Sequence, residues 1–349
     1  MFDCVTFRGT PYEMGLQHGR AFRHVIRGNV HAYPMRHTFQ GTDEEMDAGT
    51  ESARRSDEKY APWVFDELRG IADGSGVDPI WIERMHLRVW NTVPNKALDA
   101  SGCTVIGMIT EDAGVVVGGT LDDPRQSYVL VRRVPREGIP HLQVMWAGVG
   151  WGHNGINEAG FCLATASLGA VEPEDRTPQD TYGLNGTVGR VMLQTCQTVA
   201  EAVDVLRRMG CRGSYVLGDA AGDLVTCQSL GRAHAFQRPE RGLVFCTNHV
   251  HMGDLANALE ARGSKPVVTD YSRVRFETLQ AARAGARRRL EEMKGLLRSH
   301  EGYPHSICNE GTVMGSIAAP QTQPGKLHIA DRPPCRNEFV SYEVGAKEA

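Results

Sequence analysis

The sequence predicts an α+β protein in which helices are layered on antiparallel sheets. Two observations carry this. The first hundred residues read as mainly helical, and from Cys103 onward short apolar or alternating runs are separated by turns rich in Gly, Asp and Pro. Further helices interrupt these strands without a regular βαβ alternation, which argues against a doubly wound parallel sheet.

Each element has a local reason. "PYEMGLQHGRAFRHVIRGNVHAY" spaces its apolar residues by three and four and carries Pro11 near its start, so it reads as helical. "SARRSDEKYAPWVFDELRGIADGSG" is a second helical region, interrupted at Pro62 and stopped by glycines. "DPIWIERMHLRVWNTV" is a third, opened by Asp78 and Pro79. "CTVIGMIT", "GVVVGGTL", "SYVLVRRV", "HLQVMWAGV" and "GFCLATASL" read as successive strands of a meander. "TVAEAVDVLRRMG" is a helix with a Gly stop, "GSYVLGDAAGDLVTCQSL" a hairpin and "LVFCTNHV" another strand. "DYSRVRFETLQAARAGARRRLEEMKGLLRSH" reads as one long amphipathic helix, and its "ARRRLEE" run as a solvated face. "TVMGSIAAP", "KLHIAD" and "NEFVSYEV" return the chain to strands.

The chain has 349 residues, 41% of them hydrophobic, enough for a sizeable core. Its net charge of -4 and scattered basic residues exclude a nucleic-acid footprint. No apolar stretch has the length of a membrane helix. The N-terminus lacks a basic segment followed by an apolar one, so no secretory signal is expected. Nine cysteines without a C-x-x-C pair point to reduced thiols and a cytoplasmic setting.

Two motifs fail on context. "GWGHNG" matches G-x-G-x-x-G, but a turn and strand follow where dinucleotide binding needs a helix, so no cofactor is expected. "HVH" (His249 to His251) lacks the further ligands of a zinc site, so no metal is expected either. There is no G-x-S-x-G elbow.

Cys103 stands out at a polar junction, in "DASGCTVIGMI". A thiol nucleophile needs a base, an orienting group and oxyanion donors. An N-terminal cysteine carries its own base, because an α-amine has a pKa near 8. "TLDD" lies one hairpin beyond Cys103, so one of its carboxylates can reach residue 103 from the neighbouring strand. "GINEAG" and "TNHV" put Asn157 and Asn248 at strand ends, where amides can serve an oxyanion. Each residue alone has an ordinary reading as a turn former.

Taken in order, "GTPYEMGLQHG", "SGCT", "GINEAGFCLATASL", "CTNHV", "SRVR", "SIC" and "PPCRNEFVSYEV" resemble the acyl-coenzyme A:6-aminopenicillanate acyltransferase family, a C45 peptidase-like branch of the N-terminal nucleophile hydrolases. The resemblance implies a four-layer αββα sandwich of two antiparallel sheets. It also implies a precursor that cuts its own Gly102–Cys103 bond, leaving an α chain of residues 1–102 and a β chain of residues 103–349. Cys103 is then the nucleophile. Asp122, 19 residues on, matches the carboxylate that orients it, Asn248 matches the oxyanion amide, and Arg273 resembles a supporting arginine. Arg275 is a second candidate for that arginine, and Thr120, Asn157 and Ser167 are further supporting positions. Thr120 replaces the usual Asn, Ser167 a second amide, and Gly119 stands where the bile-salt branch has an arginine. No specific substrate is carried over.

The first expectation is therefore an autoprocessing amide hydrolase or acyltransferase acting on a small-molecule amide or acyl thioester. Oligomeric state is left open. Two other readings stand beside it: an unprocessed Cys–His hydrolase using His153, His249 or His305, and a non-catalytic small-ligand binder of the same fold. Trp63, Trp81 and Trp90 are core or pocket candidates.

Overall fold

Strand alternation and two-sided burial organise the molecule. The computed structural model describes residues 3–32, 42–87, 102–123, 127–169, 171–172, 182–285 and 288–345. Strand Cys4–Gly9 (β1) precedes helices Pro11–Ala21 (α1), Arg23–Ala32 (α2), Asp43–Tyr60 (α3), Trp63–Ser75 (α4) and Pro79–Leu87 (α5). Strands Gly102–Thr110 (β2), Gly114–Asp122 (β3), Tyr128–Pro135 (β4), His141–Trp146 (β5), Gly155–Asn157 (β6), Cys162–Ala166 (β7) and Val171–Glu172 (β8) follow. Helices Asn185–Thr195 (α6) and Val199–Met209 (α7) lead to strands Cys211–Gly218 (β9), Leu224–Gly231 (β10), Ala233–Gln237 (β11) and Leu243–Cys246 (β12). Helix Gly253–Glu260 (α8), strand Lys265–Pro266 (β13) and helices Asp270–Ala282 (α9) and Leu290–Leu297 (α10) come next. Strands Met314–Ala319 (β14), Lys326–Asp331 (β15) and Val340–Glu343 (β16) close the chain.

One sheet runs β1-β4-β5-β6-β7-β9-β10-β11, the other β12-β2-β3-β14-β15-β16, and β13 pairs with β8 alone. Period-two alternation sends each strand's side chains to opposite faces. Val115 and Val117 enter a core between the two sheets, with Val105, Val144, Ala164 and Val216. Val116 and Ile106 point the other way, onto Leu279 of α9 and Met293 and Leu297 of α10. On the larger sheet, α1 and α4 cover Phe7 and Met145, while α6 and α7 cover Leu163 and Tyr215. The result is four layers, helix–sheet–sheet–helix.

Two stretches depart from the sequence reading. β1 lies in a stretch expected to be helical, and its pairing with β4 is parallel. The run is only six residues, too short for its alternation to stand out beside the helical signal that follows. The expected long helix is two helices, α9 and α10. Between them Arg288 is buried rather than solvated. It donates to the carbonyls of Arg241 and Ala282 and to Glu292, closing the break between the helices.

The "GTPYEMGLQHG" stretch has a packing reason. Thr10 caps α1 in a capping box with Glu13. A Cβ on Gly15 would lie 2.0 Å from the Glu67 carbonyl oxygen of α4, and one on Gly70 2.3 Å from that of Tyr12. The two helices are close enough that their backbones touch.

Glu67 anchors that helical layer. Its carboxylate meets Arg133 of β4 at 3.1 Å and Arg190 of α6 at 3.5 Å, all three fully buried. Burial first, and the Arg133 charge second, push Arg190 down to about 9. Glu67→Gln leaves two buried guanidinium groups without a counter-charge. It is expected to cost about 3–5 kcal/mol, read as a lowered urea midpoint with an unchanged slope.

Candidate active site

β2 and β3 set the first contacts. Their register places Gly102 opposite Asp122 and Cys103 opposite Leu121. β12 pairs with β2 on the other side, ending at Cys246 opposite Val105. Two residues further on, the chain brings Asn248 to Cys103, whose N–H donates to Asn248 Oδ1 at 3.2 Å. The Asn248 amide Nδ2 donates to the carbonyl oxygen and hydroxyl of Ser167 at 2.9 and 3.1 Å.

α9 supplies the cation, and helical geometry decides which one. Residues four apart share a face, so Tyr271 and Arg275 point inward together. Arg275 is fully buried. It donates to the Cys103 carbonyl at 2.7 Å, to the Thr104 hydroxyl at 2.9 Å and to Asn248 Oδ1 at 2.7 Å. Its Nε holds the Tyr271 carbonyl at 2.8 Å, and its guanidinium lies over the Tyr271 ring. Arg273 faces outward, paired with Asp270 at 2.8 Å and Glu277 at 2.9 Å. Of the two arginines in "SRVR", the fold brings Arg275 to Cys103 and leaves Arg273 at the surface.

Asp122 is fully buried. It accepts hydrogen bonds from Tyr271 at 2.8 Å, Thr312 at 2.7 Å and Asn309 at 3.4 Å. Burial pushes its carboxyl above the ordinary value, against the pull of Arg275 and these three donors. Cys103 itself is half-buried. Its thiol is nevertheless pushed up to about 12, by desolvation first and then by the Asp122 charge, while the Asp122 backbone N–H and Arg275 oppose this. The uncut chain thus keeps the thiol protonated near Asp122.

Gly102 sits where nothing larger fits. A Cβ there would lie 2.5 Å from Asn248 Oδ1 and 2.7 Å from the Tyr271 ring. Both neighbours are held by hydrogen bonds, so neither moves aside cheaply.

The remaining candidates separate cleanly. Thr120 is buried opposite Thr104, its hydroxyl without a hydrogen-bond partner among the described residues. Asn157 is remote. Its side chain ties the turn after β6, donating to the carbonyls of Leu193 and Cys196 and accepting from Phe161 N–H. Trp90 and Ser101 lie outside the described residues. The histidines do not meet the thiol: among the described residues no histidine nitrogen hydrogen-bonds to Cys103. His249 bonds to Ser272 at 2.8 Å and is pushed down to about 4 by burial and by Arg275. His153 packs among Tyr128, Trp146 and Trp151, and His305 lies edge-on to Tyr271. "GWGHNG" leads into β6, a strand.

Sequence reasoning missed Tyr271, Asn309 and Thr312. Tyr271 carries a readable signal, its spacing of four from Arg275. Asn309 and Thr312 carry none, since they reach Asp122 from a loop 187 and 190 residues away.

Among solved structures, the chain is similar to an N-acylethanolamine-hydrolyzing acid amidase ortholog from Caenorhabditis elegans, at 16% identity and a TM-score of 0.46. That match covers 63% of this chain and 94% of the other. It is also similar to a mutant form of a conjugated bile acid hydrolase from Clostridium perfringens, at 10% identity and a TM-score of 0.42, covering 70% of this chain and 99% of the other. A penicillin V acylase from Agrobacterium tumefaciens gives 13% identity and a TM-score of 0.42, covering 69% and 86%. No helix among the described residues is long and apolar enough to cross a membrane. Residues 123–321, more than half of the chain and including Asn248, Arg275, Asn309 and Thr312, match the model of one family. The chain belongs to the acyl-coenzyme A:6-aminopenicillanic acid acyl-transferase family.

Proposed function

We propose that this protein is an N-terminal-cysteine amide hydrolase or acyltransferase that matures by cutting its own Gly102–Cys103 bond. The observation that carries the reading is the grip on Cys103, the residue that supplies both the thiol and the nitrogen of that bond. Asn248 holds the Cys103 N–H, Arg275 holds its carbonyl, and buried Asp122 charges the surroundings of the thiol. The thiol adds to the Gly102 carbonyl carbon and gives its proton to a base, for which the Asp122 carboxylate is the candidate. The C–N bond then breaks. The nitrogen takes a proton and becomes the α-amine of Cys103, and Gly102 is left as a thioester on Sγ. Water cleaves that thioester to the Gly102 carboxylate and a free thiol. The products are the α chain, 1–102, and the β chain, 103–349.

In the mature form the α-amine, with an ordinary pKa near 8, takes the thiol proton as each substrate is attacked. The Asn248 amide, whose Nδ2 the Ser167 oxygens hold in the uncut chain, turns an N–H to the tetrahedral oxyanion, a kind of donor commonly worth a hundredfold or more in rate. The substrate's acyl group becomes a Cys103 thioester as its amine or thiol departs, and it passes next to water or to an amine. Family membership supports small N-acyl amides and acyl thioesters as substrates, since the family is named for a coenzyme A thioester and an amine acceptor.

The test is intact mass under denaturing conditions, for the wild type beside Cys103→Ala. Two wild-type species whose masses exceed the uncut chain by one water together, with a single uncut species in the variant, support the reading. A wild-type chain that stays whole on long incubation sinks it.

A further inference from the structure

Three segments between residues 300 and 335 meet beside the loop that carries Asn309 and Thr312 to Asp122. His300 follows α10, Cys308 lies in the loop before β14, and Cys335 lies in the turn between β15 and β16. One ligand atom from each, an imidazole nitrogen and two sulfurs, lies within 4.8 Å of the other two. The geometry points to a divalent zinc site built from Cys308, Cys335 and His300, with water in the fourth position.

The distances fit that cation. Zn–S bonds of about 2.3 Å and Zn–N bonds of about 2.0 Å in a tetrahedron put ligand atoms about 3.5–3.8 Å apart. From separations within 4.8 Å, the three atoms need to close by no more than about 1.0–1.3 Å. Two thiolates and an imidazole are soft and borderline donors that select zinc over magnesium or calcium. The imidazole is the feature a cysteine pair alone does not account for, since a disulfide needs no third group. Binding releases both thiol protons to solvent and leaves a site of zero net charge. His300 is exposed, which gives the ion an entry path and admits the water.

The surrounding contacts hold the ligands in place. Arg298 donates to the Pro334 carbonyl at 3.0 Å, next to Cys335, and to Glu338 at 3.0 Å. The Cys308 N–H donates to the Ser299 carbonyl at 2.9 Å, next to His300. Asn309 follows Cys308 directly and reaches Asp122 and, at 3.0 Å, the Tyr271 hydroxyl. A metal here cross-links the loop that positions the carboxylate beside Cys103.

The test is cobalt titration of the full, reduced chain after chelator treatment, in the wild type and in Cys103→Ala. Both are expected to bind one equivalent with a thiolate-to-cobalt charge-transfer band, displaced by zinc. Cys335→Ala, at an exposed position, should fold and bind at least about a hundredfold more weakly, and His300→Ala should also weaken binding while keeping the thiolate band. Absence of the band, or a band unchanged in both ligand variants, overturns the site. So does an unreduced wild type whose Cys308 and Cys335 are disulfide-linked and whose reduced form binds no cobalt. Because cobalt binding is read without turnover, its failure leaves the processing test untouched.

Discussion

Arg275→Lys is expected to fold but to cut itself at least about a hundredfold more slowly than wild type, while Arg273→Ala cuts at close to the wild-type rate. The guanidinium fork of Arg275 serves four acceptors at once: the carbonyls of Cys103 and Tyr271, the Thr104 hydroxyl and Asn248 Oδ1. A lysine keeps the positive charge near Asp122 but cannot span that set. Arg275→Met removes the charge as well and leaves Asp122 buried without a cation. Its cost is about 3–5 kcal/mol, enough to lower expression. Arg273 contributes two exposed helix pairs, which water and salt screen until they add little to stability. The ratio of cut to uncut chain against time, followed by mass, checks all three. Cutting at the wild-type rate in Arg275→Lys, or arrest in Arg273→Ala, removes Arg275 from the machinery.

Asp122→Asn is expected to separate processing from thiol acidity. Three donors converge on the carboxylate, and an amide in its place must turn an NH2 toward at least one of them. Processing is expected to fall by two orders of magnitude or more, the size typical for loss of a positioned base. The thiol moves the opposite way. The Asp122 charge disfavours the neighbouring thiolate, so its removal lowers the Cys103 pKa from about 12. At pH 8 a thiol of pKa 12 is ionised in about one molecule in 10⁴, so the variant's thiol reacts faster with iodoacetamide at that pH. The alkylation rate of Cys103 against pH, compared with the slowly cutting Arg275→Lys chain, reads this directly. The Asp122→Asn curve shifts to lower pH. A shift to higher pH, or unchanged processing, contradicts the assigned role.

The strands were legible because their signal is local. In "GVVVGGTL" the alternation and the flanking turns lie within one short window, and burial on both faces explains why every residue is apolar or small. The helix interrupted at Pro62 was legible for the same reason, and α4 begins at Trp63. β1 was not, because a six-residue edge strand shows its character only once β4 lies beside it. The break between α9 and α10 was hidden as well. The periodicity runs on across it, and only the carbonyls that Arg288 finds in the fold show why the chain turns there.

The order of motifs along the chain was enough to name the family, the layered α+β architecture and Cys103 as the residue to watch. Tertiary structure chose Arg275 over Arg273, seated Asn248 against Cys103 across 145 residues, and gave Asp122 its three donors. It also gathered His300, Cys308 and Cys335, whose spacing follows no familiar ligand pattern. The physical reason is one of range. Periodicity, caps and turns are decided by neighbours a few residues away. A charge's partner, a thiol's acidity and a ligand set are decided by whichever distant segments the packed sheets bring together.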